Sequence, residues 1–399
     1  LNDQFETNDL TFPDQIDFIA YDIGPMKDSQ TNSSSFHADS EVFQVSREDA
    51  AFLLGRGGRT KQKISRVSGA SLDLRDRSNT IEIWGPPDAR ARAKKYIEII
   101  QAQRVGAIVI DENTHDDGDL TIMDVPNACI GFVTGKSGIF LRTCEEEFNV
   151  MMFFCRAPGD MFDQETGKPL ERMAIFGLDP KNRKGAELKV MSAVEVKYPG
   201  HWTSEIHQNG TYGVCTDAWG IEVFMLAKNQ LSYVLGSKGA TRRKIAKAAN
   251  CIVEYIDHVA FLVGTSVERH SAKSYLSFLC QHVDSNDAQG HRSSTGSNIT
   301  IDLTQHLSTC AYVRVPYSCI GYVTGNNRST LARIEEENQV LMFYLSPMCK
   351  FPAGFNVSHD GSEEILVIFS NSIRSRIASA LKIKSAIETK SGEHGSRNI

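Results

Sequence analysis

The sequence predicts an α+β chain built from four small modules in tandem, in the order A-B-A-B. Two observations predict it. The A segments, Phe52-Leu-Leu-Gly-Arg-Gly-Gly-Arg-Thr-Lys-Gln-Lys-Ile64 and Tyr233-Val-Leu-Gly-Ser-Lys-Gly-Ala-Thr-Arg-Arg-Lys-Ile245, repeat one pattern at an offset of 181 residues. The B segments, Val125-Pro-Asn-Ala-Cys-Ile-Gly-Phe-Val-Thr-Gly-Lys-Ser-Gly138 and Val315-Pro-Tyr-Ser-Cys-Ile-Gly-Tyr-Val-Thr-Gly-Asn-Asn-Arg328, repeat a related one at an offset of 190. Each segment reads as a short helix, a glycine turn and a second helix. Internal repeats of this kind fix the architecture before any other reading.

Module A1 (39–106) shows the element order most clearly. Glu41-Val-Phe-Gln-Val45 alternates like a strand. Ser46 then caps a helix over 47–54, the glycine turn follows, and 61–68 forms a basic helix. Ala70-Ser-Leu-Asp-Leu74 and Thr80-Ile-Glu-Ile-Trp84 are strands joined by a polar turn. Pro87 and Asp88 open a closing helix that runs to about residue 103. Module A2 (219–285) repeats this with strands at 220–225, 251–255 and 259–263 and a closing helix over 268–282.

Modules B1 (107–200) and B2 (297–390) align Glu145-Glu-Glu147 with Glu335-Glu-Glu337 and Met152-Phe153 with Met342-Phe343. Ala174-Ile-Phe176 and Val367-Ile-Phe369 are their third strands, and 184–195 and 374–388 their closing helices. Long Pro, Gly and Asp-rich loops fill 156–171 and 346–363. Residues 1–38 read as a mostly disordered tail, except that 16–23 is apolar enough to dock on a partner; 201–218 and 286–296 read as linkers and 391–399 as a polar tail.

Length and composition agree with a multidomain globular protein: 399 residues, 41% hydrophobic and 23% charged. No apolar run is long enough to span a membrane, and a cytoplasmic or nuclear location is expected. The first residues carry no signal-peptide pattern, and the missing initiator Met is expected of a fragment or processed chain. Nine cysteines with no C-x-x-C pair suggest reduced packing residues, among them Cys129, Cys144, Cys155, Cys251 and Cys280.

Order strand, helix, Gly-x-x-Gly, helix, strand, strand, helix resembles the type I KH family of single-stranded nucleic-acid binders. The resemblance implies four KH-like domains, each a three-stranded antiparallel sheet with three helices, B2 being degenerate. A lone Gly-x-x-Gly is weak, since 30 glycines give about two by chance; its recurrence in register carries the signal.

KH loops clamp single strands by close backbone approach at a helix N-terminus. The residues expected to bind RNA are thus Gly55, Arg56, Gly57, Gly58, Arg59, Lys61 and Lys63 in A1, and Gly236, Ser237, Lys238, Gly239, Arg242, Arg243 and Lys244 in A2. The resemblance also implies a base groove of Phe52, Leu53, Ile64, Leu72 and Leu74 in A1 and of Tyr233, Val234, Ile245, Val253 and Tyr255 in A2.

Although net charge is −6, residues 55–66 and 236–247 each hold five cations and no acid. The windows 135–146 and 325–336 sum to zero, so Gly135, Lys136, Ser137 and Gly138 form a weaker site and B2 weaker still. Apolar Cys129-Ile-Gly-Phe-Val and Cys319-Ile-Gly-Tyr-Val are expected to pack B modules on A modules. The triple glutamates read as a solvated helix face.

No H-E-x-x-H, G-x-S-x-G or Walker motif occurs, so the expectation is a non-catalytic protein with no cofactor or metal. Single-stranded RNA in post-transcriptional control is the favoured partner. A scaffold subunit of a larger assembly, with protein partners through the B modules and 16–23, or a single-stranded DNA binder are the alternatives.

Overall fold

A computed structural model describes residues 40–75, 79–156, 158–159, 162, 167, 171–204, 206, 219–287, 309–345 and 362–395. The apolar segment 16–23, the N-terminal tail, residues 396–399, most of both linkers and most of the two long loops lie outside these residues, whereas 391–395, expected in a polar tail, are helical.

Four three-stranded antiparallel sheets share one topology, with the third strand of each in the middle. In A1 they are β1 (Ser40–Gln44), β2 (Ser71–Arg75) and β3 (Thr80–Trp84); in B1, β4 (Leu120–Asp124), β5 (Met151–Arg156) and β6 (Glu171–Phe176). In A2 they are β7 (Gly220–Met225), β8 (Ile252–Ile256) and β9 (Val259–Gly264); in B2, β10 (Cys310–Pro316), β11 (Leu341–Leu345) and β12 (Glu363–Phe369).

Three main helices accompany each sheet, and B1 has in addition a single turn at Glu112–His115. A1 has α1 (Arg47–Leu54), α2 (Arg59–Ser68) and α3 (Pro87–Val105); B1 has α4 (Ile130–Thr134), α5 (Ile139–Phe148) and α6 (Pro180–Lys197). A2 has α7 (Lys228–Leu235), α8 (Ala240–Ala249) and α9 (Ser266–Asp287); B2 has α10 (Tyr317–Thr324), α11 (Ser329–Asn338) and α12 (Ile373–Gly395). Ser46 caps α1 as its residue type predicts, accepting a bond from the Asp49 amide at 3.0 Å. Of the four closing helices, those of B1 and A2 start earlier than expected, at Pro180 and Ser266.

What the sheets do with their two faces organises the whole chain. Register places Leu120, Met151 and Phe176 in one cross-strand row of B1 and Ile122, Phe153 and Ala174 in the next. These residues face away from B1's own helices and pack with Tyr96, Ile97 and Ile100 of α3 in a single cluster. Tyr96 meets Phe176 edge-on with ring centroids 5.5 Å apart. The opposite face of the same sheet, with Met173 and Ile175, packs on α6.

The next junctions repeat the arrangement. Ile221, Ile256, Phe261 and Val263 of the A2 sheet join Met191 and Val194 of α6 in one cluster. Leu341, Val367 and Phe369 of the B2 sheet join Tyr275 and Leu279 of α9, where the Tyr275 and Phe369 rings lie 5.1 Å apart. The helices of each module therefore cover the sheet of the next. Among the described residues the A1 sheet keeps one face open and mostly polar, and on it Asp73 and Glu82 share a row and Arg75 pairs with Glu82 at 2.7 Å.

Three expectations are corrected. Cys129 and Val133 do not join B1 to A1, and Cys319 and Val323 do not join B2 to A2. One turn apart on one helix face, each pair is buried in its own module's core against the closing helix; Phe132 and Tyr322 stay exposed. The start of the 201–218 linker is packed, with Thr203 and Ile206 buried and Glu195 accepting from the Trp202 amide at 2.9 Å. The 286–296 linker begins inside α9, which runs to Asp287.

Candidate nucleic-acid interface

The four glycine turns share one backbone. Their first residues, Gly55, Gly135, Gly236 and Gly325, have φ between 66° and 73° with extended ψ. A Cβ there would lie 2.2 Å from Thr60 Oγ1 at Gly55, 2.3 Å from Thr241 Oγ1 at Gly236 and 2.4 Å from Thr330 Oγ1 at Gly325. The fold itself demands this glycine. The fourth residue is also left-handed, but nothing lies within 4 Å of a Cβ built on Gly58. Steric demand is absent there, which is how B2 carries Arg328 at φ 65° without losing the turn.

The turns differ in what covers them. Gly58 is open, and Arg56 and Arg59 beside it are exposed with no ion-pair partner among the described residues. In A2, Gly239 is buried, with Arg243 Nη1 3.5 Å and Arg242 Nε 3.8 Å from a Cβ at that position. In B1, Arg142 Nη1 lies 3.1 Å from the equivalent point at Gly138. In B2, Arg328 folds back to Glu335 at 3.0 Å and to the Met342 carbonyl.

The basic residues divide likewise. Lys63 is turned from the loop to Glu145 of B1 at 2.8 Å, and Arg66 donates to the Glu145 carbonyl at 2.9 Å. Lys61 lies 4.0 Å from Asp73. In A2, Arg242 is held by Glu254 at 2.8 Å and the Val253 carbonyl at 2.7 Å, Arg243 by the Lys238 carbonyl at 2.7 Å, and Lys244 by Glu335 at 2.5 Å. Ser237 and Lys238 are exposed. Lys63, Arg242, Arg243 and Lys244 thus serve contacts within the protein, and Arg56, Arg59 and Lys238 remain outward. Charge windows counted along the chain missed this because the neutralising acids lie outside them, Glu254 on a later strand of A2 and Glu145 and Glu335 on the following modules.

The apolar groove of A1 is lined by Leu53, Leu54, Lys61, Ile64, Leu72, Leu74 and Ile81. Phe52 is not part of it; it faces a hollow at the B1 junction with Ile100, Met151 and Phe153. Helical spacing explains this, since Phe52 and Leu53 point about 100° apart. Leu54 and Ile81 were missed by the sequence, which placed Lys61 among the RNA-binding residues but not in the groove. In A2, Val234, Ile245 and Val253 are buried, and Tyr255 stands where A1 has Leu74. Its hydroxyl donates to the Val234 carbonyl at 3.2 Å, so the ring fills the A2 groove; burial pushes that phenol well above its usual range. Tyr233 is partly exposed, like Phe52.

Residues 40–99 match the family model of the KH domain. The matched residues lie in A1, the module with the open turn. Over about 40% of this chain, solved structures are also similar at 17% identity. Dim2p from Pyrococcus horikoshii OT3 matches over 90% of its own length with a TM-score of 0.22. A complex titled a/eIF2alpha-aDim2p-rRNA from the same organism matches over 84% with a TM-score of 0.21. A protein of unknown function from Aeropyrum pernix matches at 17% identity, over 42% of this chain and 87% of its own, with a TM-score of 0.18. Among curated proteins none matches significantly. Among the described residues no helix is long and apolar enough to cross a membrane.

Proposed function

We propose that this is a tandem four-KH protein that binds single-stranded RNA without catalysis, in post-transcriptional control, and that the KH domain of A1 is its principal site. The observation that carries the reading is the open Gly58 turn flanked by Arg56 and Arg59, beside a small apolar pocket lined by Leu53, Leu54, Leu72 and Leu74. Phosphates would sit on the α2 N-terminus and these two arginines, with bases in the groove. A2, whose cations are engaged and whose groove holds Tyr255, contributes Lys238 at most.

Binding of a short RNA by the full chain tests this. If A1 neutralises about two phosphates, log K falls against log salt with a slope of about −1.4. A slope near zero, or no binding, would sink the reading. A2 and B2 favour a second role in that event: Lys244 and Lys247 of the basic A2 helix are consumed by Glu335 and Glu336 of B2, as a scaffold's would be.

A further inference from the structure

A second basic surface lies next to the A1 loop. A cleft runs between α2 of A1 and α5 of B1, and Arg59, Lys63, Arg66, Arg142, Glu145 and Glu146 line it. Lys63 and Arg66 are consumed by Glu145. Arg59 and Arg142 are not: both are exposed, and neither has an ion-pair partner among the described residues. Arg142 also rests against Gly138, the last residue of the B1 turn Lys136–Gly138. The B1 turn has the backbone of the A1 turn, with Gly135 at φ 70° and Gly138 at φ 72°. One cleft thus joins the two turns, with an unpaired arginine near each.

The second half of the chain is an internal control. The same two helices meet in A2 and B2, but Ala240 replaces Arg59 and Ala332 replaces Arg142. There Lys247 crosses to Glu336 at 2.5 Å and ties the helices together. Arg59 and Arg142 set two cations beside one cleft, and the Glu146 carboxylate that also lines it forms an ion pair with neither. They occur at the junction whose loop is open and are absent where it is covered.

We infer that the cleft between α2 and α5 is a phosphate-binding extension of the A1 site, carrying one continuous RNA strand from the A1 turn to the B1 turn. This rests on the RNA reading above and adds B1 to it as a second contact on the same strand. Arg59 and Arg142 would neutralise the phosphates that cross the cleft.

The test uses the full chain and labelled mixed-sequence RNAs of about four and about twelve nucleotides, the shorter matching one KH turn. The longer RNA should bind more tightly, with a salt slope steeper by about 0.7 for the one phosphate that Arg142 adds to those already held at Arg56 and Arg59. Arg142→Ala should leave the shorter RNA unaffected and reduce the slope for the longer by about 0.7; Arg142→Lys should restore it. Unchanged melting would show that the variants fold. If the short RNA binds but length and Arg142→Ala have no effect on slope, the cleft is not a binding path and the A1 reading stands. If neither RNA binds the parent protein, both fall together.

Discussion

Lys63 of A1 donates to Glu145 of B1 at 2.8 Å, and 181 residues later Lys244 does the same to Glu335 at 2.5 Å. Each glutamate is buried, and each also accepts from a strand amide, Met152 or Met342, at 2.9 Å. The carboxylate thus clamps its own module's next strand while the lysine of the preceding module supplies its countercharge. A residue type expected to hold phosphate is instead the joint between modules.

Removing the lysine should therefore be costlier than removing a surface cation. A buried carboxylate that loses its partner costs about 3–5 kcal/mol, and partial exposure of Lys63 brings the expected loss for Lys63→Met to about 2 kcal/mol. Glu145→Gln should cost less, because the amide oxygen can still accept from Met152. Urea denaturation of both variants checks the order; a Lys63→Met protein as stable as the parent would refute the clamp.

Loop variants should separate the two A modules. Arg56→Asp with Gly57→Asp should weaken RNA binding at least tenfold, roughly the 1.4 kcal/mol of one lost charged contact. Ser237→Asp with Lys238→Asp should change it much less. Fold damage is not the cause, because the position of Gly57 carries Ser137, Lys238 and Asn327 in the other turns at φ 49–53°. Fluorescence anisotropy with circular dichroism as control reads the result. Equal losses would return A2 to full partnership.

The two glycines of one turn should differ in stability. Gly55→Ala drives a Cβ against Thr60 Oγ1 and should cost about 2–3 kcal/mol. Gly58→Ala meets nothing and bears only left-handed backbone strain, about 1–2 kcal/mol. Thr60→Ser in the Gly55→Ala background should recover little, because Oγ1 is the colliding atom. Thermal melts would show whether the ranking holds.

Alkaline pH should weaken the fold. Burial pushes the thiols of Cys144, Cys155 and Cys251 up to about 12 and that of Cys310 up to about 11. Unfolded thiols ionise near about 8.5. A group whose folded value is raised gives stability present below its unfolded value and lost as pH climbs towards the folded one. Denaturation midpoints should thus fall steadily from about pH 8.5 upward. Burial raises the phenols of Tyr96, Tyr255 and Tyr275 as well, which steepens the fall above about pH 10. Midpoints that stay level to pH ~10.5 would contradict this.

The turns and element order were legible because glycine punctuates a chain strongly and the repeat supplies register. The open A1 sheet was legible too: Ser71-Leu-Asp-Leu-Arg75 alternates, as a strand with one wet face must. The stacking was also written in the sequence but was not read. Met151-Met-Phe-Phe-Cys155 and Val259-Ala-Phe-Leu-Val263 are unbroken apolar runs, the mark of strands covered on both sides. What no local pattern carries is the partner of a charge. Lys63 and Glu145 are 82 residues apart, so the triple glutamates read as solvated when Glu145 and Glu335 are buried.

The pile of modules also sets where the chain yields first. An interior unit is held by two interfaces, whereas a terminal one is held by a single interface, so cooperative loosening starts at the ends of such an array. Among the described residues A1 is held by one interface, because no other module covers its sheet. The unit proposed to grip RNA is then one that can open and reclose without dragging the other three along, and a bound strand crossing into B1 would act as the second fastening that its position denies it.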